Sequence, residues 1–330
     1  MPGREVIVLG DINADVLMPV PAYPAAGEEA LADQIMIRAG GSAANTAVTL
    51  ARLGLRTRLV GRVGRDAWAE TALAALTDAG VDTTAVQRDA EIGTGLTFIS
   101  VTPDGERTLF GYRGANPRTA PGGIADSLFV NAALLHLSGF AFMQAPQREA
   151  AWRAIQLAEK HSLPISLDTA LSPALRLADE MRALLPRLTI CVLGRSEAEA
   201  LVGPGSPETA AAALRRAGVE IVGLKLGREG CLLANDSGMA RLPAFGAQVV
   251  DTTGAGDAFS AGMALGYLRG WPLAAAGTLA TALGALAAAV WGGGAAMPGV
   301  SDVLAYLRAQ ASEPRIVEVL NTLEAVTESV

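Results

Sequence analysis

The chain has 330 residues, with 26 Lys and Arg against 33 Asp and Glu, for a formal net charge of −7. That balance, with no run of basic residues, excludes a nucleic-acid backbone as partner. Two histidines, His136 and His161, exclude a histidine-rich metal site, and Cys191 and Cys231 lie too far apart to read as a disulfide or a zinc pair, which points to a reducing compartment such as the cytoplasm.

In chain order, the apolar run at 6–9 predicts a strand covered on both faces. Gly10-Asp-Ile-Asn13-Ala-Asp15 follows at its C-terminal end, where open α/β sheets bind ligands. Asn13 and Asp15 offer an amide and a carboxylate suited to sugar hydroxyls, or else ordinary turn chemistry. Residues 16–39 carry Pro19, Pro21 and Pro24 and do not read as a core helix. Gly40 and Gly41 open a helix expected over 43–53, with Asn45 in its first turn. A hairpin is expected from 94–102 and 107–112 about a turn at 103–105. Strands at 58–60, 133–137, 164–168, 189–193 and 220–226 alternate with helices at 67–79, 147–161, 174–185, 196–201 and 207–217. This alternation predicts an α/β fold with a doubly wound, mainly parallel sheet.

Residues 224–230 form a glycine-bounded turn holding Lys225, Gly227 and Gly230. Asp251-Thr-Thr253-Gly254-Ala255-Gly256-Asp257 then leads into a helix-compatible run at 258–268. Small residues let backbone N–H groups converge, and a helix start adds unpaired donors and a positive dipole end. An anion fits at Gly254, Ala255 and Gly256. Asp257 beside it is placed to take a proton from a nucleophile attacking that anion. The stretch 270–301 carries no charge, yet it is mostly Ala, Gly and Thr, so a buried helix at 273–290 is expected rather than a membrane span. Apolar residues at 316, 317, 319, 320, 323 and 326 predict an amphipathic helical extension over 313–330.

Two motifs, Asp251-Thr-Thr-Gly-Ala-Gly-Asp-Ala-Phe-Ser-Ala-Gly and Gly40-Gly-Ser-Ala-Ala-Asn45, resemble the signatures of the PfkB, or ribokinase-like, sugar kinases. The resemblance implies one ribokinase-like domain over 1–330, a three-layer α/β/α sandwich with a small β-sheet lid from about 12–39 and 93–114. It implies transfer of the γ-phosphate of ATP to a sugar hydroxyl, with Asp257 as general base. It places Asn13, Asp15, Gly40, Gly41 and Asn45 at the sugar, and Lys225, Gly227 and Gly230 beside the nucleotide. Glu197 matches a glutamate that helps to place Mg²⁺ through water, although the asparagine expected three residues earlier is Gly194. Asp251 and Thr253 match residues that hold a monovalent cation such as K⁺ in many relatives. The lid often forms a dimer contact. A glutamate that contacts ribose in ribokinases is replaced by Gly139. Tyr112-Arg113 resembles kinases of 2-keto-3-deoxygluconate, where an arginine pairs with a carboxylate. Ribose-type sugars lead; fructose, nucleosides and that acid sugar stay open, as does a sugar-binding sensor that has lost catalysis. No Walker A, dinucleotide fingerprint or serine-hydrolase elbow is present.

Overall fold

The computed structural model describes residues 5–103, 107–310 and 314–327. Its strands are β1 (Glu5–Leu9), β2 (Asn13–Pro19), β3 (Met36–Gly40), β4 (Thr57–Val63), β5 (Val81–Asp82), β6 (Val86–Arg88), β7 (Gly95–Val101), β8 (Arg107–Tyr112), β9 (Ala132–Ser138), β10 (Ile165–Asp168), β11 (Ile190–Gly194), β12 (Ile221–Lys225), β13 (Cys231–Asn235) and β14 (Gly238–Leu242). The main sheet runs β14-β13-β12-β11-β10-β9-β1-β4-β5, with β6 paired to β4. It is parallel except for β13 and β14 at one edge. A separate small sheet has the order β3-β2-β7-β8.

The unbroken apolar run of β1 has a simple cause. Val6 and Val8 face one helical layer, with Leu50, Phe259 and Leu283, while Ile7 and Leu9 face the other, with Phe142, Leu167 and Leu193. A strand buried on both faces cannot alternate with polar residues. The chain order reverses at β1, between β4 on one side and β9 on the other, which opens a crevice beyond the C-terminal ends of the strands.

The uncharged stretch becomes helix Leu273–Ala288, packed against helix Ala255–Leu268. A Cβ at Gly262 would lie 2.7 Å from the Ala280 Cα, and one at Gly266 would lie 2.5 Å from the Ala276 Cβ. Small residues are therefore what lets these two backbones close, and their lack of charge reflects burial. Among the described residues no helix is long and apolar enough to cross a membrane.

The helix expected at 174–185 is two helices, Leu171–Arg176 and Ala178–Leu184, parted where Leu177 leaves helical geometry at φ −131° and ψ 35°. The antiparallel β13–β14 pair and helix Val300–Arg308 are additional elements. The turn expected at 103–105 falls mostly outside the described residues, as do positions 313 and 328–330 of the C-terminal extension. Helix Pro314–Thr327 buries Ile316, Val319, Leu320 and Leu323 in the core and exposes Val317.

Candidate active site

Gly254 sits at φ 79°, left-handed, as the cap of helix Ala255–Leu268, where other residues are strained. A Cβ there would also strike the Met297 Sδ at 2.7 Å. The amides of Gly256 and Asp257, in the first turn, have no acceptor within the helix. The Lys225 ammonium stands directly over that turn, since a Cβ on Gly256 would lie 3.0 Å from its Nζ. Donors, dipole and ammonium thus converge on one point, the arrangement an oxyanion needs.

Asp257 is held from helix Ser42–Arg52. Ser42 Oγ donates to its Oδ1 at 2.7 Å, and Asn45 Nδ2 donates to its Oδ2 at 2.8 Å. Burial, and then the nearby Asp168 carboxylate, push the Asp257 pKa up to about 6; Asn45, Ser42 and Lys225 restrain the rise. A carboxylate poised near neutrality and fixed by two donors can accept a proton from a hydroxyl. Asn45, expected at the sugar, spends its amide elsewhere: Nδ2 on Asp257, and Oδ1 on the Gly294 N–H at 2.8 Å.

Asp168 and Ser42 were not singled out from the sequence. Asp168 ends β10, and both its oxygens lie 3.0 Å from the Lys225 Nζ; Ser260 Oγ donates to Oδ2 at 2.8 Å. Burial opposes charge on Lys225, but Asp168 and Glu197 outweigh it and raise its pKa, so the ammonium stays charged. The signals available were a carboxylate at a strand's C-terminal end and a serine after two glycines.

Asn13 and Asp15 lie on β2. Asn13 accepts from Asn116 Nδ2 at 2.8 Å, and its Nδ2 donates to Thr97 Oγ1 at 3.4 Å. Among the described residues Asp15 Oδ1 is buried without a hydrogen-bond partner. Burial raises the Asp15 pKa to about 7, opposed by a hydrogen bond from Thr97 and assisted by the charges of Asp257 and Asp251. An orphaned buried oxygen on a carboxylate facing this crevice is a ready acceptor for a hydroxyl. The room at Gly40 is filled by Asp15, whose Oδ2 would meet a Cβ at 2.0 Å. Gly41, at φ 94°, lies close over the Asp11 carbonyl.

Arg113 is not an open carboxylate receptor. Its Nε and Nη2 donate to the two oxygens of Asp11 at 3.0 and 2.8 Å, and Nη2 also reaches Gln147 Oε1 and the Phe140 carbonyl. Its charge is neutralised within the fold; among the described residues only Nη1 of this side chain is buried without a partner. Gly227 and Gly230, at φ 58° and 91°, build the turn between β12 and β13 beside Lys225. Glu197 closes its own helix: Oε2 accepts from the Gly194 N–H and, at 3.3 Å, from Thr169 Oγ1. Asp251 Oδ1 accepts from the backbone N–H and the hydroxyl of Thr253 at 2.9 and 2.8 Å, and both residues face Arg107 of β8.

Residues 4–299 match the pfkB family of carbohydrate kinases. The ribokinase of Haemophilus influenzae is 30% identical over 272 residues, covering 81% of this chain and 86% of that protein. Fructokinase-1 of Zea mays is 31% identical over 268 residues, covering 78% and 81%. The structure of Arabidopsis thaliana ribokinase complexed with ribose and ATP superposes with a TM-score of 0.77 at 26% identity, covering 92% of this chain and 98% of that one. With a family match spanning most of its length and relatives at this identity, the chain belongs to the pfkB family of carbohydrate kinases, phosphotransferases with an alcohol acceptor.

Proposed function

We propose that the protein transfers the γ-phosphate of ATP to a hydroxyl of a neutral, ribose-type sugar. The observation that carries this reading is Asp257, held by Ser42 and Asn45 beside the Gly254–Gly256 donors and Lys225. The acceptor hydroxyl gives its proton to Asp257 as its oxygen bonds the γ-phosphorus. The bond from that phosphorus to the bridging oxygen breaks, and ADP leaves. Backbone donors and the Lys225 ammonium hold the charge on the transferring group. Asn13 and Asp15 receive the sugar's other hydroxyls. Glu197 has Oε1 left for a water on Mg²⁺, which suits an ion bound by few protein carboxylates; the metal would offset charge on the nucleotide phosphates. Gly227 and Gly230 shape the wall along the nucleotide.

Binding of ribose and ATP by the Arabidopsis neighbour supports this choice. The pairing of Arg113 with Asp11 weakens the support for a carboxylate-bearing acceptor, because it leaves Nη1 alone to meet one. Fructose and nucleosides remain the neutral alternatives, given the fructokinase relative. ADP release measured over ribose, fructose, adenosine and 2-keto-3-deoxygluconate tests the reading. Ribose should give the highest kcat/KM; ribose no better than the acid sugar would overturn it, and no sugar-dependent turnover at all would favour a sensor.

The small sheet also supports a homodimer. Ile37, Phe98, Phe110 and Tyr112 stand exposed on its face away from Asn13 and Asp15. A contiguous apolar patch marks an interaction surface. Sedimentation should show a dimer that Phe110→Glu dissociates; a monomeric wild type would remove it.

A further inference from the structure

Arg107 opens β8 on the site-facing side of the small sheet, opposite Val101. Its Nη1 donates to Thr253 Oγ1 at 2.7 Å and lies 3.7 Å from Asp251 Oδ1. Asp251 is 1% exposed, and among the described residues Arg107 is the only cation within ion-pair distance of it. Its Oδ1 also takes the N–H and the hydroxyl of Thr253, while Oδ2 accepts from the Gly292 N–H at 3.0 Å. One buried carboxylate therefore joins the loop before Gly254, the turn after helix Leu273–Ala288 and the small sheet. Trp291, next to Gly292, packs on Leu17, Ile99 and Val101 of that sheet, an apolar contact beside the polar one.

The monovalent cation implied by the family resemblance does not fit this arrangement. Asp251 Oδ1 already receives two donors and stands beside the Arg107 guanidinium, while Oδ2 receives one donor. The Thr253 hydroxyl gives its hydrogen to Asp251 and its lone pair to Arg107. An ion placed there would have to displace a like charge. We propose that the Arg107 guanidinium is itself the resident cation of this loop, a positioning residue carried by the lid, so that the 252–254 loop is set for phosphate when the small sheet is down. The inference rests on the reading of Gly254 to Asp257 as the phosphate cradle.

The test compares wild type, Arg107→Ala and Arg107→Lys in KCl and in N-methylglucamine chloride of equal ionic strength, by steady-state kinetics and by melting temperature. Wild-type kcat should differ by less than about twofold between the salts. Arg107→Ala should lose about 10–100-fold in kcat, the scale of a small misplacement of a reacting group, with a smaller change in the sugar KM. KCl or added guanidinium should restore at least about fivefold of that loss and raise the melting temperature of Arg107→Ala alone, as a ligand of the folded state does. Arg107→Lys should stay indifferent to potassium. A wild type activated or thermally stabilised by potassium overturns the proposal, as does an Arg107→Ala variant whose rate and melting temperature ignore both cations. If wild type phosphorylates no sugar in either salt, the functional reading fails, and the melting temperatures still decide the role of Arg107.

Discussion

Replacing Asp257 by Asn removes the proposed base with little change of shape. The introduced amide can turn its oxygen to Asn45 Nδ2 and its nitrogen to Ser42 Oγ, because a hydroxyl accepts as readily as it donates. Both hydrogen bonds survive, so the loss isolates proton transfer. General-base catalysis is worth about 10²–10⁴-fold, or about 3–5 kcal/mol of barrier. The variant should lose that much kcat while the KM values for sugar and ATP stay within about threefold. The pH profile adds a second reading. Asp257 must be ionised to act, and burial with Asp168 lifts its pKa to about 6. Wild-type kcat/KM should therefore fall as the pH drops through about 6, roughly two units above an ordinary aspartate. The residual activity of Asp257→Asn should lack that limb. A variant retaining kcat within about tenfold of wild type, or an acid limb unchanged by the substitution, would refute the assignment.

Lys225→Met leaves the buried Asp168 with Ser260 Oγ as its remaining hydrogen-bond donor, so it should cost about 3 kcal/mol of stability by denaturant unfolding. The same change removes a charge that restrains the Asp257 pKa, so the acid limb should move above 6 and the KM for ATP should rise. Asp15→Asn tests burial directly. The folded pKa of Asp15, about 7, lies above its unfolded value of about 4, so the ionised form weakens the fold at pH 8, and the deficit shrinks as the pH falls from 7 and is gone only below about 4. The variant should melt about 3 °C higher than wild type at pH 8, corresponding to about 2 kcal/mol, and higher by less than about half that margin at pH 5, with a raised sugar KM. An equal gain at both pH values would show that the carboxylate is not the cause.

The layers of this molecule were legible because each rests on local pattern. The strand at 6–9 is apolar at every position because both faces are covered, and the strand–helix alternation forces parallel pairing. Gly254 was legible because a left-handed cap admits few other residues. The charge network was not legible. Asp168 and Lys225 are 57 residues apart and meet only because β10 and β12 both flank β11. Ser42 and Asn45 reach Asp257 across 215 and 212 residues. Arg113 reads as available because its sequence neighbours do not pair with it; Asp11 and Gln147 come from other elements. Neither spacing nor periodicity reports which strand ends become neighbours.

These distant pairings bear on how the site tolerates a phosphate. Asp257 and Asp15 are both raised, so the crevice holds more negative charge than it readily solvates. An uncompensated phosphate beside Asp257 would raise its pKa again and remove the base at neutral pH. Lys225 counters this, because its ammonium lies over Gly256 and already lowers the Asp257 pKa. The acid limb of kcat, which reports the bound complex, should therefore stay within about half a unit of the limb of kcat/KM, which reports the free enzyme. Measured at saturating magnesium and ATP, a kcat limb displaced upward by a full unit would mean that the phosphate lies beyond the reach of Lys225. The cradle at Gly254 to Gly256 would then be the wrong place for the transferring group.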